Sequence, residues 1–414
     1  MAEGDQASQA KEDPRAGRVV ALVFVTVFLD LIGFGIVIPL MPFYVQSMGG
    51  SAFTVGVLLS CFAATQFFAT PYLGRWSDRV GRRKVILISL AGNAISMVLF
   101  ALATKVQLLP LLFISRIVAG ATAGNLSACQ AAIADVSQGA SRAKGMGRLG
   151  AGIGLGIMLG PWIGAVLSAR FGAWAPPLGA AALALADLIA AFFWMPETFV
   201  PRARAADGTS IAPPSVSLLT VLRRPALALV LVLFFFTFLY MTNLQVALAL
   251  MTNQRFGWTE TEVGYVFFGM GAVMFIVQGI LIGPIAKRFR ELNVVIFGAV
   301  VSGAGLLAIA VAPTVPVLFV GLAGLGLGLG VTQPLLASLA AKYAGDDNRG
   351  ALLGYSQSSG GLARTVGPLL GGMLYAKTHT GWPFLSGSVA AVIVLVTAIA
   401  LGRVPAAPPA KPTH

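Results

Sequence analysis

The chain predicts an all-α membrane protein: twelve spanning helices in two pseudo-symmetric six-helix bundles. Three observations carry that reading. First, 57% of its residues are hydrophobic and only 10% are charged, against about 25% charged in ordinary soluble domains. A soluble protein of 414 residues could not hide so much apolar surface, because its area-to-volume ratio demands polar cover; lipid must solvate most side chains. Second, twelve apolar runs of about 20 residues each match the hydrocarbon thickness. They fall near residues 19–42, 54–74, 84–104, 107–129, 149–169, 176–195, 226–249, 262–285, 293–312, 315–340, 351–375 and 382–402. Third, the chain repeats itself. Gly160-Pro161 in the fifth run returns as Gly367-Pro368 in the eleventh, and Arg142 returns as Arg349 at the same spacing. Gly74 before the first basic loop returns, within two residues of that spacing, as Gly283. Parallel six-helix repeats produce this pattern.

The divisions follow from these runs. Residues 1–18 are polar and of mixed charge, a disordered tail with no cleavable apolar segment before the first run. Residues 19–196 form the first bundle and 226–403 the second. Residues 197–225, with Pro201, Pro213, Pro214 and Pro225, link them, and 404–414 form a second tail. Of the 28 Lys and Arg, only Lys105, Arg170, Arg255 and Lys377 occupy odd-numbered loops, and only Arg116 and Arg364 fall inside runs. The rest lie in the tails and even-numbered loops, so both termini are expected in the cytoplasm, with the chain multi-pass in a cell (inner) membrane. The net charge of +13 is spread over short loops and makes no nucleic-acid surface. Cys61 and Cys129 lie in apolar runs and imply neither disulfide nor metal. No phosphate-cradling loop and no nucleophile–base set occurs, so neither cofactor nor enzymatic activity is expected.

The loop Gly74-Arg75-Trp76-Ser77-Asp78-Arg79-Val80-Gly81-Arg82-Arg83-Lys84 reads as a tight cytoplasmic turn. Gly74 permits close helix approach and Asp78 can meet a positive helix N-terminus. It resembles the loop 2–3 signature of the major facilitator superfamily, G-x-L-A-D-R-x-G-R-R/K, with Trp76 and Ser77 at the Leu and Ala positions. The resemblance implies a conformational gate of Gly74, Asp78, Arg79 and Arg82. In it Asp78 meets the start of the eleventh helix, and Asp135 partners the loop's arginine.

Within the first run, Leu29-Asp30 through Gly33, Gly35, Pro39 and Pro42 resembles the L-D-x-x-G-x-G-x-x-x-P-x-x-P signature of twelve-helix drug:proton antiporters, tetracycline exporters included. Asp30 lies twelve residues past Arg18, roughly 18 Å along a helix and near mid-bilayer, where a bare carboxylate is costly. The fifth run carries Gly156, Gly160, Pro161 and Gly164, a dense small-residue face around a helix-bending proline. It resembles the antiporter motif G-x-x-x-G-P-x-x-G-G, with Ala165 at the last glycine, and so implies export. Arg116-x-x-x-Gly120 resembles the fourth-helix arginine motif, whose arginine is thought to tune proton transfer. Asp30 and Arg116 are expected to meet across the central cavity, where opposing effects of charge and burial can respond to substrate.

Asp187 in the sixth run is a second proton-coupling candidate, although that helix is peripheral in the family's fold. Asn125, Asn243, Gln245, Gln333, Gln357 and Arg364 are cavity candidates, each with interhelical hydrogen bonding or pairing as the plainer role. Residues 85–103 and 294–312 lack the acids that tetracycline exporters carry in their third and ninth helices, which argues against tetracycline itself. The expected function is proton-coupled export of small amphipathic compounds by a monomer, in the manner of multidrug or tetracycline-like efflux. The alternatives are a proton-coupled uptake symporter and, in another class, a non-transporting receptor or scaffold.

Overall fold

Hydrocarbon offers the backbone no water to bond, so apolar runs of this length satisfy their own amides as helices. The computed structural model describes residues 15–199, 218–344, 349–377 and 380–405. Most of the expected first tail, most of the 197–225 linker and residues 406–414 lie outside the described residues. The described residues contain helices and no strand.

Among the described residues twelve long rods are present. In the first half they are α1 (Ala16–Ser47), α2 (Ala52–Val80), α3 (Arg82–Val106), α4 (Leu109–Val136), α5 (Gly139–Phe171) and α6 (Ala175–Trp194). A short helix, Leu218–Leu222, precedes the second half. There α7 (Pro225–Phe256), α8 (Glu260–Arg288), α9 (Glu291–Val311), α10 (Val315–Ala344), α11 (Arg349–Lys377) and α12 (Trp382–Leu401) follow. All but α11 are long and apolar enough to cross a bilayer on composition alone. In α11 the run Ser356-Gln357-Ser358-Ser359 and Arg364 dilute the apolar residues.

The packing repeats with the sequence. In the first half α1 lies on α5 and α6, and α3 lies on α6; in the second, α7 lies on α11 and α12, and α9 lies on α12. The halves join through α2 against α11 and, as the symmetry mate of that pair, α8 against α5. The close approaches across this joint lie away from the tails. A methyl group added at Gly372 would sit 2.5 Å from Ala52 O, one at Gly264 2.8 Å from Pro161 O, and one at Gly271 3.0 Å from Met158 Cα. Ser168 donates to Glu260 there at 3.3 Å, and the Trp162 and Phe268 rings are 6.3 Å apart. The buried cluster at this far end of the first half takes in Val246 and Leu250 of α7. The cluster at its tail end, Val19 to Met195, contains no residue of the other half. The bundles therefore meet at the far end and part at the tail end, where Gln357 and Ser358 of α11 are exposed.

Three local features depart from the sequence reading. The polar hinge at 74–84 is mostly helical: α2 runs to Val80, α3 starts at Arg82, and Gly81 alone turns the chain at φ +104°. The fourth run is two helices, Leu109–Ala121 and Asn125–Val136, broken at Thr122–Gly124. Gly120 and Gly124 weaken the helix there, and the Thr70 hydroxyl of α2 donates to the freed carbonyl of Ala123 at 3.1 Å. Finally, α1 tightens into a 3-10 turn over Ile38–Leu40, where Pro39 can donate no backbone bond.

The seat of α1 on α5 is lined by the motif glycines. A methyl group on Gly160 would lie 2.7 Å from Gly35 Cα, one on Gly164 2.7 Å from Ile36 O, and one on Gly156 2.6 Å from Leu31 Cβ. One added at Gly150, by contrast, meets nothing within 4 Å. Gly160→Ala is therefore expected to destabilise the fold by about 1–3 kcal/mol through overpacking. Gly150→Ala should be neutral or gain up to about 1 kcal/mol of helix propensity. Thermal denaturation of the two purified variants in one detergent checks the contrast.

Candidate functional site

Polar side chains gather inside the first bundle around Asp30 of α1. Asn93 Nδ2 of α3 donates to Asp30 Oδ1 at 2.7 Å, and Asn125 Nδ2 of α4 donates to Oδ2 at 3.4 Å. Asn125 is the first residue after the break in α4, so the break turns its side chain inward. Its Oδ1 accepts from Cys129 Sγ at 3.3 Å. An ionised carboxylate only accepts hydrogen bonds, and two amides supply donors to both of its oxygens. Three helices are thereby tied at one half-buried acid. Asn125, expected in the cavity wall, is 5% exposed and belongs to this cluster. Asn93 was missed by sequence reading because a lone Asn in an apolar run carries no spacing signal.

Asp187 of α6 also reaches this region. It is 1% exposed, and among the described residues no donor makes hydrogen-bonding geometry with either carboxylate oxygen; the Thr26 hydroxyl of α1 faces it. Although its helix is peripheral in the family's fold, α6 packs directly on α1 and Asp187 is buried there.

Arg116 does not meet Asp30. No ion pair joins them among the described residues. The Arg116 guanidinium lies 4.8 Å from the Phe100 ring centre, with Ser96 and Ser115 hydroxyls accepting at 3.4 Å. Depth is the reason: Asn125, nine residues past Arg116 in α4, and Asn93 of α3 are level with Asp30, whereas Arg116 meets Ser96 and Phe100 further along α3.

At the tail end Arg82 gathers the loop. Its Nη1 donates to Asp78 Oδ1 at 2.5 Å and Ser77 Oγ at 2.7 Å, and its Nε donates to Asp135 Oδ2 at 2.9 Å. Its backbone N–H donates to Glu197 Oε1 at 2.8 Å, an oxygen that also accepts from the N–H groups of Thr198 and Phe199. Glu197 was missed because Pro196 marks it as linker. Asp78 pairs inside its own bundle and with no described part of α11. Arg79 is exposed without an ion pair among the described residues. Gly74 makes no close approach, since an added methyl would meet only Ser127 Oγ at 4.0 Å; Gly81, against the Glu197 carboxylate, is the tight position.

The remaining cavity candidates divide. Asn243 is 2% exposed and donates to Pro383 O and Ser386 Oγ of α12, both at 2.8 Å, so it fastens the second bundle and does not line the cleft. Gln333 of α10 donates to Met241 Sδ of α7 at 3.1 Å. Gln245 is half-buried and Gln357 exposed. The Arg364 guanidinium stands 4.8 Å from the Phe238 ring centre with no carboxylate partner among the described residues.

A family model described as Major Facilitator Superfamily matches residues 23–278 and again 233–414. The chain is 31% identical over 393 residues to Tetracycline resistance protein, class C, of Escherichia coli, covering 94% of this chain and 98% of that one. It is 30% identical over 411 residues to Major facilitator superfamily domain-containing protein 10 of Bos taurus, covering 86% and 87%. Among solved structures, the human organic anion transporter MFSD10 (TETRAN) superposes with a TM-score of 0.69 at 28% identity, over 93% of this chain and all of that one. A bacterial homologue of the lysosomal transporter Spinster, inward-facing and occupied, gives 0.76 at 14% identity over 95% and 98%, a likeness of fold alone.

The Arg82 cluster generates a graded expectation. The Asp78 side chain is 59% exposed and that of Asp135 22% exposed. Asp78→Asn should cost under about 1 kcal/mol, as for a solvated pair. Asp135→Asn should cost about 1–3 kcal/mol, because it removes a better-shielded charge-assisted bond. Gly81→Ala should cost at least as much, from the positive φ and the Glu197 contact. Melting temperatures of the three variants check the order.

Proposed function

This chain belongs to the major facilitator superfamily, and from that premise we propose that it is a proton-driven exporter of small amphipathic compounds working by alternating access. Members of this family are membrane transporters, so the chain is a multi-pass transporter and not an enzyme. Residues 19–196 and 226–403 are the two moving bodies, joined by 197–225. Both termini face the cytoplasm of an inner-membrane protein, and the cleft that is open at the tail end is then open to the cytoplasm.

One observation carries the export reading: the acid-bearing helix is seated on the glycine-proline face of α5. Asp30 lies five residues before Gly35, and Gly35 packs on Gly160 and Pro161. Proton occupancy at Asp30 thus acts on the helix whose contact partner, α5, also makes the joint with α8. The amides of Asn93 and Asn125 satisfy the charged carboxylate, while apolar surroundings penalise it. A coupling acid needs both forms within reach. The name of the organic anion transporter supports transport of small solutes as the class, and drug resistance in the names of the tetracycline resistance proteins fits the outward direction. The gate role belongs to Asp78, Arg79, Arg82 and Asp135: the Arg82 pairs stand within the first bundle while the tail end is open, and Asp78 turns to the start of α11 as it closes.

Two experiments test this. Asp30→Asn, reconstituted in proteoliposomes, should lose pH-gradient-driven efflux by at least about 100-fold, the scale of losing a positioned acid–base group. Its gradient-free substrate exchange should persist. Full gradient-driven efflux by that variant would remove Asp30 from the coupling step. In a cysteine-free background, a cysteine at exposed Arg75 should resist a membrane-impermeant thiol reagent in intact cells and react in inverted vesicles. Labelling in intact cells would reverse the topology.

A further inference from the structure

Arg364 occupies mid-span of α11 and, among the described residues, has neither an ion-pair nor a hydrogen-bond partner. A membrane-interior cation normally has a counter-charge, and the second bundle provides none. Between residues 226 and 403 its acids are Glu260, Glu262, Glu291, Asp346 and Asp347. The two at the start of α8 mark the far end, Glu291 at the start of α9 marks the tail end, and the Asp pair lies outside the described residues. Of the interior acids of the first bundle, Asp30 is held by Asn93 and Asn125, and Asp187 is enclosed between α6 and α1.

Position on α11 gives the direction of this side chain. At about 100° per residue, Gly360 and Gly367 form the row packed on α7, where added methyls would meet Phe238 and Leu239. Gly361, Pro368 and Gly372 form the row packed on α2, against Phe67, Gly56 and Ala52. Arg364 falls between the two rows and points into the wedge between α2 and α7. Its Nη2 lies 3.9 Å from where a Gly361 methyl would be, and a Phe67 ring atom lies 2.9 Å from that same point. Phe238 holds the guanidinium from the other side at 4.8 Å. Gln357, two turns towards the tail end on nearly the same bearing, is exposed. A mid-span cation over the Phe238 ring, with Phe67 of α2 near by and no counter-charge among the described residues, is placed to receive a charge that enters with a solute.

We infer that Arg364 is the anchor for an anionic group, the carboxylate or sulfonate of an aromatic amphiphile whose apolar body lies against Phe67 and Phe238. The inference rests on the transporter reading above and narrows its substrate class to organic anions. Guanidinium suits the role because it is permanently charged and presents paired donors to a planar oxyanion.

Two xanthene dyes of similar shape and opposite charge, fluorescein and rhodamine 6G, test the assignment by fluorescence anisotropy on the detergent-solubilised full chain. Fluorescein should bind more tightly than rhodamine 6G. Arg364→Gln should weaken fluorescein by about tenfold or more and leave rhodamine 6G unchanged, with Arg364→Lys in between. Undiminished fluorescein binding by Arg364→Gln, or a wild-type preference for rhodamine 6G, would overturn the inference without any variant needing to fold in the second case. Phosphatidylglycerol titrated into the micelles should not displace the dye; displacement would assign the seat to a lipid headgroup and overturn the solute assignment. Binding needs no gradient, which keeps the two readings separable. Fluorescein held through Arg364 with no gradient-driven efflux would support the anchor and sink proton coupling. Gradient-driven export of rhodamine 6G without fluorescein binding would do the reverse.

Discussion

A carboxylate placed where water is scarce needs donors from its neighbours, and Asp30 draws them from two other helices. Asn93 and Asn125 reach it from α3 and α4, so one acid sets the mutual phase of three helices. The broken α4 follows from the same constraint. Continuing the helix through Thr122–Gly124 would rotate Asn125 away, and the break is tolerated because Thr70 satisfies the carbonyl it frees. With α1 phased in this way, its glycine side faces α5, and the small-residue contact at Gly35 and Gly160 brings the backbones to van der Waals distance.

The two bundles treat charge differently, and this asymmetry lies on top of a symmetric fold. The packing pairs of the first half recur six helices later, down to the joint, where α2 on α11 mirrors α8 on α5. The polar interior does not recur. The first bundle keeps Asp30, Asp187 and Arg116 among Asn and Ser side chains, while the second, among the described residues, keeps Arg364 over the Phe238 ring without a carboxylate partner. On the proposed reading, this distribution divides the labour between a proton-handling half and a solute-handling half.

Closure at the far end and separation at the tail end define the state of the molecule. The far joint is built from glycine and proline backbone contacts, with few polar bonds beyond Ser168 to Glu260. Such contacts are short-ranged and can part without stranding polar groups. At the tail end, Arg82 satisfies Asp78 and Asp135 within its own bundle, so these loop carboxylates keep a partner while the end stands apart.

What the sequence determined alone was everything that depends on solvent and spacing. Composition dictated lipid as the surroundings, run length set the helix number, the repeated Gly-Pro and Arg landmarks announced the duplication, and the motif residues of the first and fifth runs marked what became one contact. Residues defined by a contact partner were not legible. Asn93, Glu197 and the inward turn of Asp187 depend on which helix lies opposite. Asn243 looked like a cavity residue until α12 claimed its amide. Arg116 and Asp30, which spacing alone puts at one depth, are offset: Asp30 is level with Asn93 and Asn125, and Arg116 with Ser96 and Phe100 further along α3. Spacing along a chain fixes distance within one helix; how far that helix slides past its neighbours, and which way it faces them, is set only when they pack.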